Sequence, residues 1–396
     1  MGTDTDITPF TLDTPQAELD DLADRLARTR WPRELPGVGW ERGIPVGYLR
    51  ELARYWSDGF DWRAQERRIN AFDQFTTEVD GQSIHFLHVR SPEPDALPLL
   101  VSHGWPSSVV EFLEVIGPLT DPRAHGADPS TAFHLVVPSL PGFAFSPPVR
   151  ETGWGLPRTV DAYAELMRRL GYDRYGTQGG DIGGGVAGML AAAAPKVGGQ
   201  VVGIHMNGPS SFAPLPEGVE LTDAERVRAE RDAEFERTGS GYLALQANQP
   251  STIGVALNDS PVGQLAWIAE KFRAWTDPAK STPDEAVDRD LLLTNVTATW
   301  LSGAGAGSAH FVYESMHGPL AWAAPDAAGA APEGSWSGPS VPTGIAVFAG
   351  DNSIRARFDD GSVTRWTEYD RGGHFAALEV PDLLVHDVRE FFATVR

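Results

Sequence analysis

The run Gly179-Gly180-Asp181-Ile182-Gly183-Gly184 lies between a strand-like stretch, Arg174 to Gln178, and a small-residue, helix-like stretch, Gly185 to Ala194. A chain that turns this sharply from strand to helix holds its apex residue in a strained conformation, with the side chain projecting outward. The residues two before, two after and three after the apex must then be nearly free of side chain. Gly179, Gly183 and Gly184 fill those positions around Asp181. The bland alternative is a glycine-rich turn, such as a dinucleotide loop, with Asp181 as a helix N-cap. Against it, the glycines do not stand at G-x-G-x-x-G spacing from an early strand.

With Asp at its apex the string resembles the nucleophile elbow of α/β-hydrolases, where the apex is commonly Ser. A serine must lose a proton before it attacks, whereas a carboxylate with an ordinary pKa near ~3.9 is already ionised at neutral pH. A base is needed only afterwards, to activate the water that hydrolyses the resulting ester. Such an elbow suits attack on an electrophilic sp3 carbon, and epoxides and alkyl halides are the natural candidates.

The 396 residues can bury a large core, and a net charge of −22 argues against nucleic acid or an anionic membrane surface as partner. The absence of Cys removes disulfides, thiolate metal sites and Cys nucleophiles together. The start of the chain, Met1 to Ile7, has neither a basic nor an apolar region, and no apolar run approaches ~18 residues. A cytoplasmic, untethered protein is expected.

Thr14-Pro15 followed by Leu19, Leu22 and Leu26 predicts a capped helix, and Leu49, Leu52 and Tyr55 a second one. A charged helical piece follows Trp62. Asp80-Gly81 between two alternating runs signals a hairpin. From Leu97 the pattern becomes buried strand, loop, helix, repeated, which implies a mostly parallel sheet wrapped by helices. Between Asn207 and about Pro319 the chain turns helical, with Thr222 to Glu225 as a capping box and Thr282 as a further N-cap. The expected organisation is a helical arm (1–73), a core in two pieces (74–207 and 319–396) and a helical cap (208–318) above the strand ends, where such sheets place their sites. Residues 323–338 read as an aperiodic loop.

Val101-Ser-His-Gly-Trp-Pro106 follows the first buried strand, where a backbone N–H can face an oxyanion. Arg30-Trp-Pro32, His103-Gly-Trp-Pro106, Pro138-Ser-Leu-Pro-Gly142, Gln178-Gly-Gly-Asp181, Leu257-Asn-Asp-Ser-Pro261 and Arg371-Gly-Gly-His-Phe375 stand in this order. In that set the chain resembles the microsomal-type epoxide hydrolase family over nearly its whole length. The resemblance implies an α/β-hydrolase fold, Asp181 as nucleophile, His374 as general base, and an oxyanion hole from the backbone N–H groups of Trp105 and Ile182. It implies paired cap phenols at Tyr242 and Tyr313, which donate to the ring oxygen as it becomes an alkoxide. Packing is the plain alternative for both phenols.

His374 also follows from chain order, since a triad here runs nucleophile, acid, histidine. Of the ten histidines only His374 and His386 follow the last strands, and His386 lies in a helical pattern. The strand-like run before Gly350 delivers Asp351 as the acid; Asp359 and Asp360 are rivals, and Asp387 a weaker one. Family alignment favours Asp351. Ile182, where many relatives carry an aromatic residue, gives an aliphatic pocket wall beside Trp105. The string around Asp181 looks more like actinomycete members of natural-product pathways, where aryl vinyl epoxides such as enediyne precursors are hydrolysed. The expected partners are a small-molecule epoxide and water, with no cofactor, metal, nucleic acid or membrane; a homodimer stays open. The rival readings are a haloalkane dehalogenase-type hydrolase, which would release halide, and a catalytically silent fold used for binding.

Overall fold

Short β-branched and aromatic runs, each followed by a helical pattern, build one nine-stranded sheet in the order β1-β2-β3-β5-β4-β6-β7-β8-β9. The structure is a computed structural model and describes residues 6–146, 148–210, 214–318, 341–358 and 361–396. The strands are β1 (Ile7–Phe10), β2 (Gln74–Val79), β3 (Gln82–Val89), β4 (Leu97–Ser102), β5 (Phe133–Pro138), β6 (Arg174–Gly180), β7 (Gln200–Asn207), β8 (Thr343–Val347) and β9 (Val363–Glu368). The first three pair antiparallel with one another, and β3 joins β5 antiparallel; from β5 to β9 all pairing is parallel. Asp80 and Gly81 both have positive φ, as the turn between β2 and β3 requires.

The arm contains α1 (Gln16–Ala27), α2 (Val46–Asp58) and α3 (Trp62–Ile69). It differs from the expected helical arm in supplying β1, which extends the sheet by pairing Ile7 to Phe10 with Thr77 to Gln74. Thr14 does not cap α1: its hydroxyl accepts from Trp62 Nε1 at 2.9 Å and its N–H donates to Glu66 at 2.7 Å. A tertiary bond has taken the group that a local cap would use.

The core helices are α4 (Leu113–Thr120), α5 (Leu156–Arg169) and α6 (Ile182–Ala193). The segment between β7 and β8 holds α7 (Asp223–Glu234), α8 (Gly241–Asn248), α9 (Pro250–Asp259), α10 (Pro261–Ala274), α11 (Pro283–Ala286), α12 (Arg289–Leu301) and α13 (Ala304–His317). Thr222 and Glu225 form the expected capping box, whereas Thr282 starts only the single turn of α11 and makes no side-chain cap. The chain ends in α14 (Ala376–Glu379) and α15 (Pro381–Phe392). The expected loop 323–338 lies outside the described residues. None of the described helices is long and apolar enough to cross a membrane.

Two apolar layers cover the sheet. One is built around Phe86, Val136, Tyr163, Leu166 and Leu190 with α5 and α6; the other joins Leu99, Phe133 and Phe391 to the arm and cap through Trp56, Phe272 and Leu293. The arm is bonded to the cap along its length. Tyr48 donates to Asp284 and Tyr55 to Asp290, both at 2.8 Å, Trp56 Nε1 donates to Thr297 Oγ1 at 2.9 Å, and Arg25 donates to the Asp259 carbonyl at 2.8 Å. Of these, Trp56 to Thr297 is buried. Thr297→Val keeps the shape and strands the indole N–H, so it should cost about 1–3 kcal/mol in urea unfolding. Combined with Trp56→Phe, the losses should be less than additive; strict additivity would mean that the bond contributes nothing.

Candidate active site

Asp181 sits at φ 53° and ψ −129° between β6 and α6. This is a conformation that L-residues avoid, at a cost of ~1–3 kcal/mol, and surrounding close packing must hold it. A Cβ on Gly183 would collide with the Ser102 carbonyl, and one on Gly179 with the Gly183 carbonyl. Gly184 is different, since a Cβ there would meet Gly179 O at 3.6 Å, an ordinary contact. The expected three-glycine requirement is therefore met at two positions, and Gly180, packed against the Asn207 amide, supplies an unforeseen third.

The loop after β4 approaches the apex from the other side. A Cβ on Gly104 would overlap the Asp181 side chain, so only glycine lets the backbone come this near. The Trp105 N–H donates to Asp181 Oδ1 at 2.9 Å, and the Trp105-Pro106 peptide is cis. Buried His103 ties the loop down: its Nε2 accepts the Leu140 N–H at 3.1 Å, and Nδ1 lies 3.1 Å from the Gly104 carbonyl. Those partners require a neutral ring, and burial lowers its pKa to about 4. Ile182 opens α6, so its N–H has no partner within the helix. Its side chain, 3% exposed, belongs to the apolar layer that also contains Trp105 and Phe143.

His374 Nε2 stands 3.8 Å from Asp181 Oδ2, too far for a direct hydrogen bond. The short segment after α10 positions it. His374 N–H donates to the Trp275 carbonyl at 2.9 Å, and Gly372 N–H to Asp277 Oδ2 at 3.1 Å. A Cβ on Gly373 would crowd that same segment. Burial lowers the His374 pKa below its ordinary value, opposed by the Asp181 charge and the Trp105 backbone.

Asp351 is buried just beyond β8, with Oδ2 accepting the Phe348 N–H at 2.7 Å and its carboxylate against Gly208. Burial pushes it up to about 7, despite Phe348 N–H, Arg231 and Arg228 acting in the other direction. Among the described residues the carboxylate within ion-pair distance of His374 is that of Asp181, not Asp351. Asp359 and Asp360 lie outside the described residues. Asp387 is engaged elsewhere, with His205, Arg365 and Tyr369. Tyr242 stacks on Trp105, with ring centroids 4.6 Å apart, under Lys271 Nζ at 4.5 Å. Burial first, then Asp181 and Glu270, raises its pKa well above 10, so the phenol keeps its proton. Tyr313 stacks instead on His317, at 4.3 Å, one turn along α13.

One group on the pocket escaped the sequence reading. Glu111, 8% exposed, lines the same cavity as Asp181, His374, Trp105 and Ser107. Its signal was available, as a lone carboxylate in the apolar run Val109-Val110-Glu111-Phe112. Burial pushes Glu111 up to about 8 from an ordinary 4.5; the Ser107 hydroxyl opposes this and the Asp181 charge adds to it. The folded protein therefore holds a proton that the unfolded chain releases between about pH 4.5 and 8, and stability falls as pH rises through that window. Glu111→Gln removes this dependence. Its advantage in unfolding free energy over the parent should be near zero at pH 4.5 and grow toward pH 8, reaching a few kcal/mol at most. A gap that does not widen with pH would show that Glu111 ionises freely in the folded state.

Two family models match the chain: the epoxide hydrolase N terminus over residues 7–112 and the alpha/beta hydrolase fold over residues 98–239. The chain is 43% identical to a Stigmatella aurantiaca (strain DW4/3-1) protein provisionally assigned as an epoxide hydrolase, over 98% of this chain and 86% of that one. It is 32% identical to epoxide hydrolase 1 of Oryctolagus cuniculus, over 99% and 90%. The solved structure of Aspergillus niger epoxide hydrolase superposes with a TM-score of 0.82 at 31% identity, covering 99% of this chain and 97% of that one. With the sheet order, the cap and the arm all accounted for, the chain belongs to the microsomal-type epoxide hydrolase family.

Proposed function

We propose that the protein converts an epoxide to a vicinal diol through a covalent ester on Asp181. The observation that carries this reading is the disposition of one carboxylate. Oδ1 rests against the Trp105 N–H, while Oδ2 faces His374 across 3.8 Å. Oδ2 attacks a ring carbon, the carbon–oxygen bond of the ring breaks, and Tyr242, with Tyr313, yields a proton to the departing oxygen. His374 then removes a proton from water as it adds to the ester carbonyl. The negative charge that develops on Oδ1 meets the Trp105 and Ile182 N–H groups. Collapse returns the imidazolium proton to the departing ester oxygen, releases the diol and leaves one water oxygen in the Asp181 carboxyl, whose proton restores the phenol. Asp351, buried just beyond β8, is the acid we propose for this scheme; its position at that strand end supports the assignment.

The relatives named epoxide hydrolases support an epoxide as the electrophile. An aryl vinyl epoxide from a natural-product pathway is the finer proposal, and it rests on the string around Asp181 alone.

His374→Gln should still form the ester and fail to release it, so an adduct should accumulate under mass spectrometry. Its mass should equal protein plus the entire substrate, because no group departs; loss of halide from a halogenated substrate would favour the dehalogenase reading. No adduct with any epoxide would count against the covalent route. In the parent enzyme the hydrolysis step should weaken on acidification through the imidazole pKa. Since burial lowers that pKa, the midpoint should lie below 6.5. Single-turnover rates that reach half-maximum above pH 6.5 would remove His374 as the base.

A further inference from the structure

On the cap side of Trp105 and Ser107, which also line the pocket of Asp181 and His374, lies a second, small cavity with room for a group about the size of a hydroxyl or a water. Most of its wall is apolar, with Phe143, Leu257 and Ile268 prominent. Two buried polar atoms on its lining residues nevertheless have no hydrogen-bond partner among the described residues, Gln264 Oε1 and Trp267 Nε1, whereas the Ser107 hydroxyl is engaged by Glu111. Native proteins leave few buried polar atoms unpaired. Two on one cavity wall ask for a ligand.

The chemistry of that ligand can be read from the two atoms. Gln264, 1% exposed, donates its Nε2 to the Val296 carbonyl at 3.0 Å, which fixes the amide with Oε1 as the free acceptor. Gly305 leaves this oxygen uncovered, since a Cβ there would lie 3.1 Å from it. Trp267, three residues on along α10, shares that helix face and offers a donor only. A single hydroxyl satisfies the pair by accepting from the indole N–H and donating to the amide oxygen.

We infer that this cavity is a recognition site for a hydroxyl group that the substrate carries away from its epoxide ring, so that the enzyme selects hydroxylated epoxides over their deoxy counterparts. This rests on the epoxide reading of Asp181. The cavity takes the hydroxyl itself, and the shared Trp105 and Ser107 place that end of the substrate next to the reacting end.

Matched pairs of 1,2-epoxyalkanes with and without a terminal hydroxyl, over a series of chain lengths, test the inference by their ratio of kcat/KM. At one or more lengths the parent enzyme should prefer the hydroxylated member about tenfold. Trp267→Phe and Gln264→Met, which keep side-chain bulk and lose the donor or the acceptor, should each bring the ratio toward one. Unreactive 1,2-diols and the corresponding terminal triols, titrated by calorimetry, decide the same point without turnover. The triol should bind tighter than the diol to the parent and lose that margin in both variants. If no epoxide of the series is hydrolysed, the proposed function fails while the titration still judges the cavity. Equal binding of diol and triol at every length, or a triol preference that survives both substitutions, would mean that water alone occupies the site and would overturn the inference.

Discussion

Main chain lies directly against main chain where α6 begins: the Gly183 Cα stands against the Ser102 carbonyl at the end of β4, with no room for a side chain between them. That approach brings the loop after β4 beneath the strand-to-helix turn after β6, and Gly104 closes the remaining gap to Asp181. The hydrogen bond from Trp105 N–H to Asp181 Oδ1 is its product. Because the Trp105 N–H and the Asp181 carboxylate are located by backbone rather than by rotamer choice, little side-chain freedom is lost in aligning them. The strain at Asp181 is held by the same contacts.

The surrounding charges follow one rule. Carboxyls whose oxygens no cation bonds are driven toward their neutral form by burial: Asp351 to about 7, and Glu111 and Glu379 to about 8. Asp387 is buried as well, but hydrogen bonds from His205 and Arg365 outweigh that burial and hold it well below the usual carboxylate range. The cations near Asp351 are spent elsewhere. Arg228 pairs with Glu368, and Arg231 donates to the Ala349 and Asp351 carbonyls. A strongly acidic chain can thus crowd several carboxyls behind one imidazole without crowding as many negative charges.

The elbow was legible because its glycines and its aspartate are contiguous, and local string chemistry is what a sequence displays best. The parallel strands were legible as apolar runs, and the loop carrying His374 by its place after the last strand. What escaped depended on contacts distant in the chain. Thr14 looked like a cap until Trp62 and Glu66 claimed its groups. The strand Ile7–Phe10, only four residues long and interrupted by Pro9, has no pattern of its own and exists because β2 offers an edge. Glu111 disappears in an apolar run whose neighbours set its reading. Tyr242 and Tyr313 were equivalent in sequence, yet only the former meets Trp105, while the latter rests on His317.

The arm that begins in the sheet also grips the cap. Its strand β1 belongs to the core, and its helices donate to Asp259, Asp284, Asp290 and Thr297 along α9, α11 and α12. The same cap, through Trp275 and Asp277, holds the loop of His374. Swinging the cap away as a hinged lid would break these bonds together and would pull the His374 imidazole away from the Asp181 carboxylate. The bonding of arm to cap and of cap to the His374 loop thus ties the spacing of those two groups to a cap that stays in place.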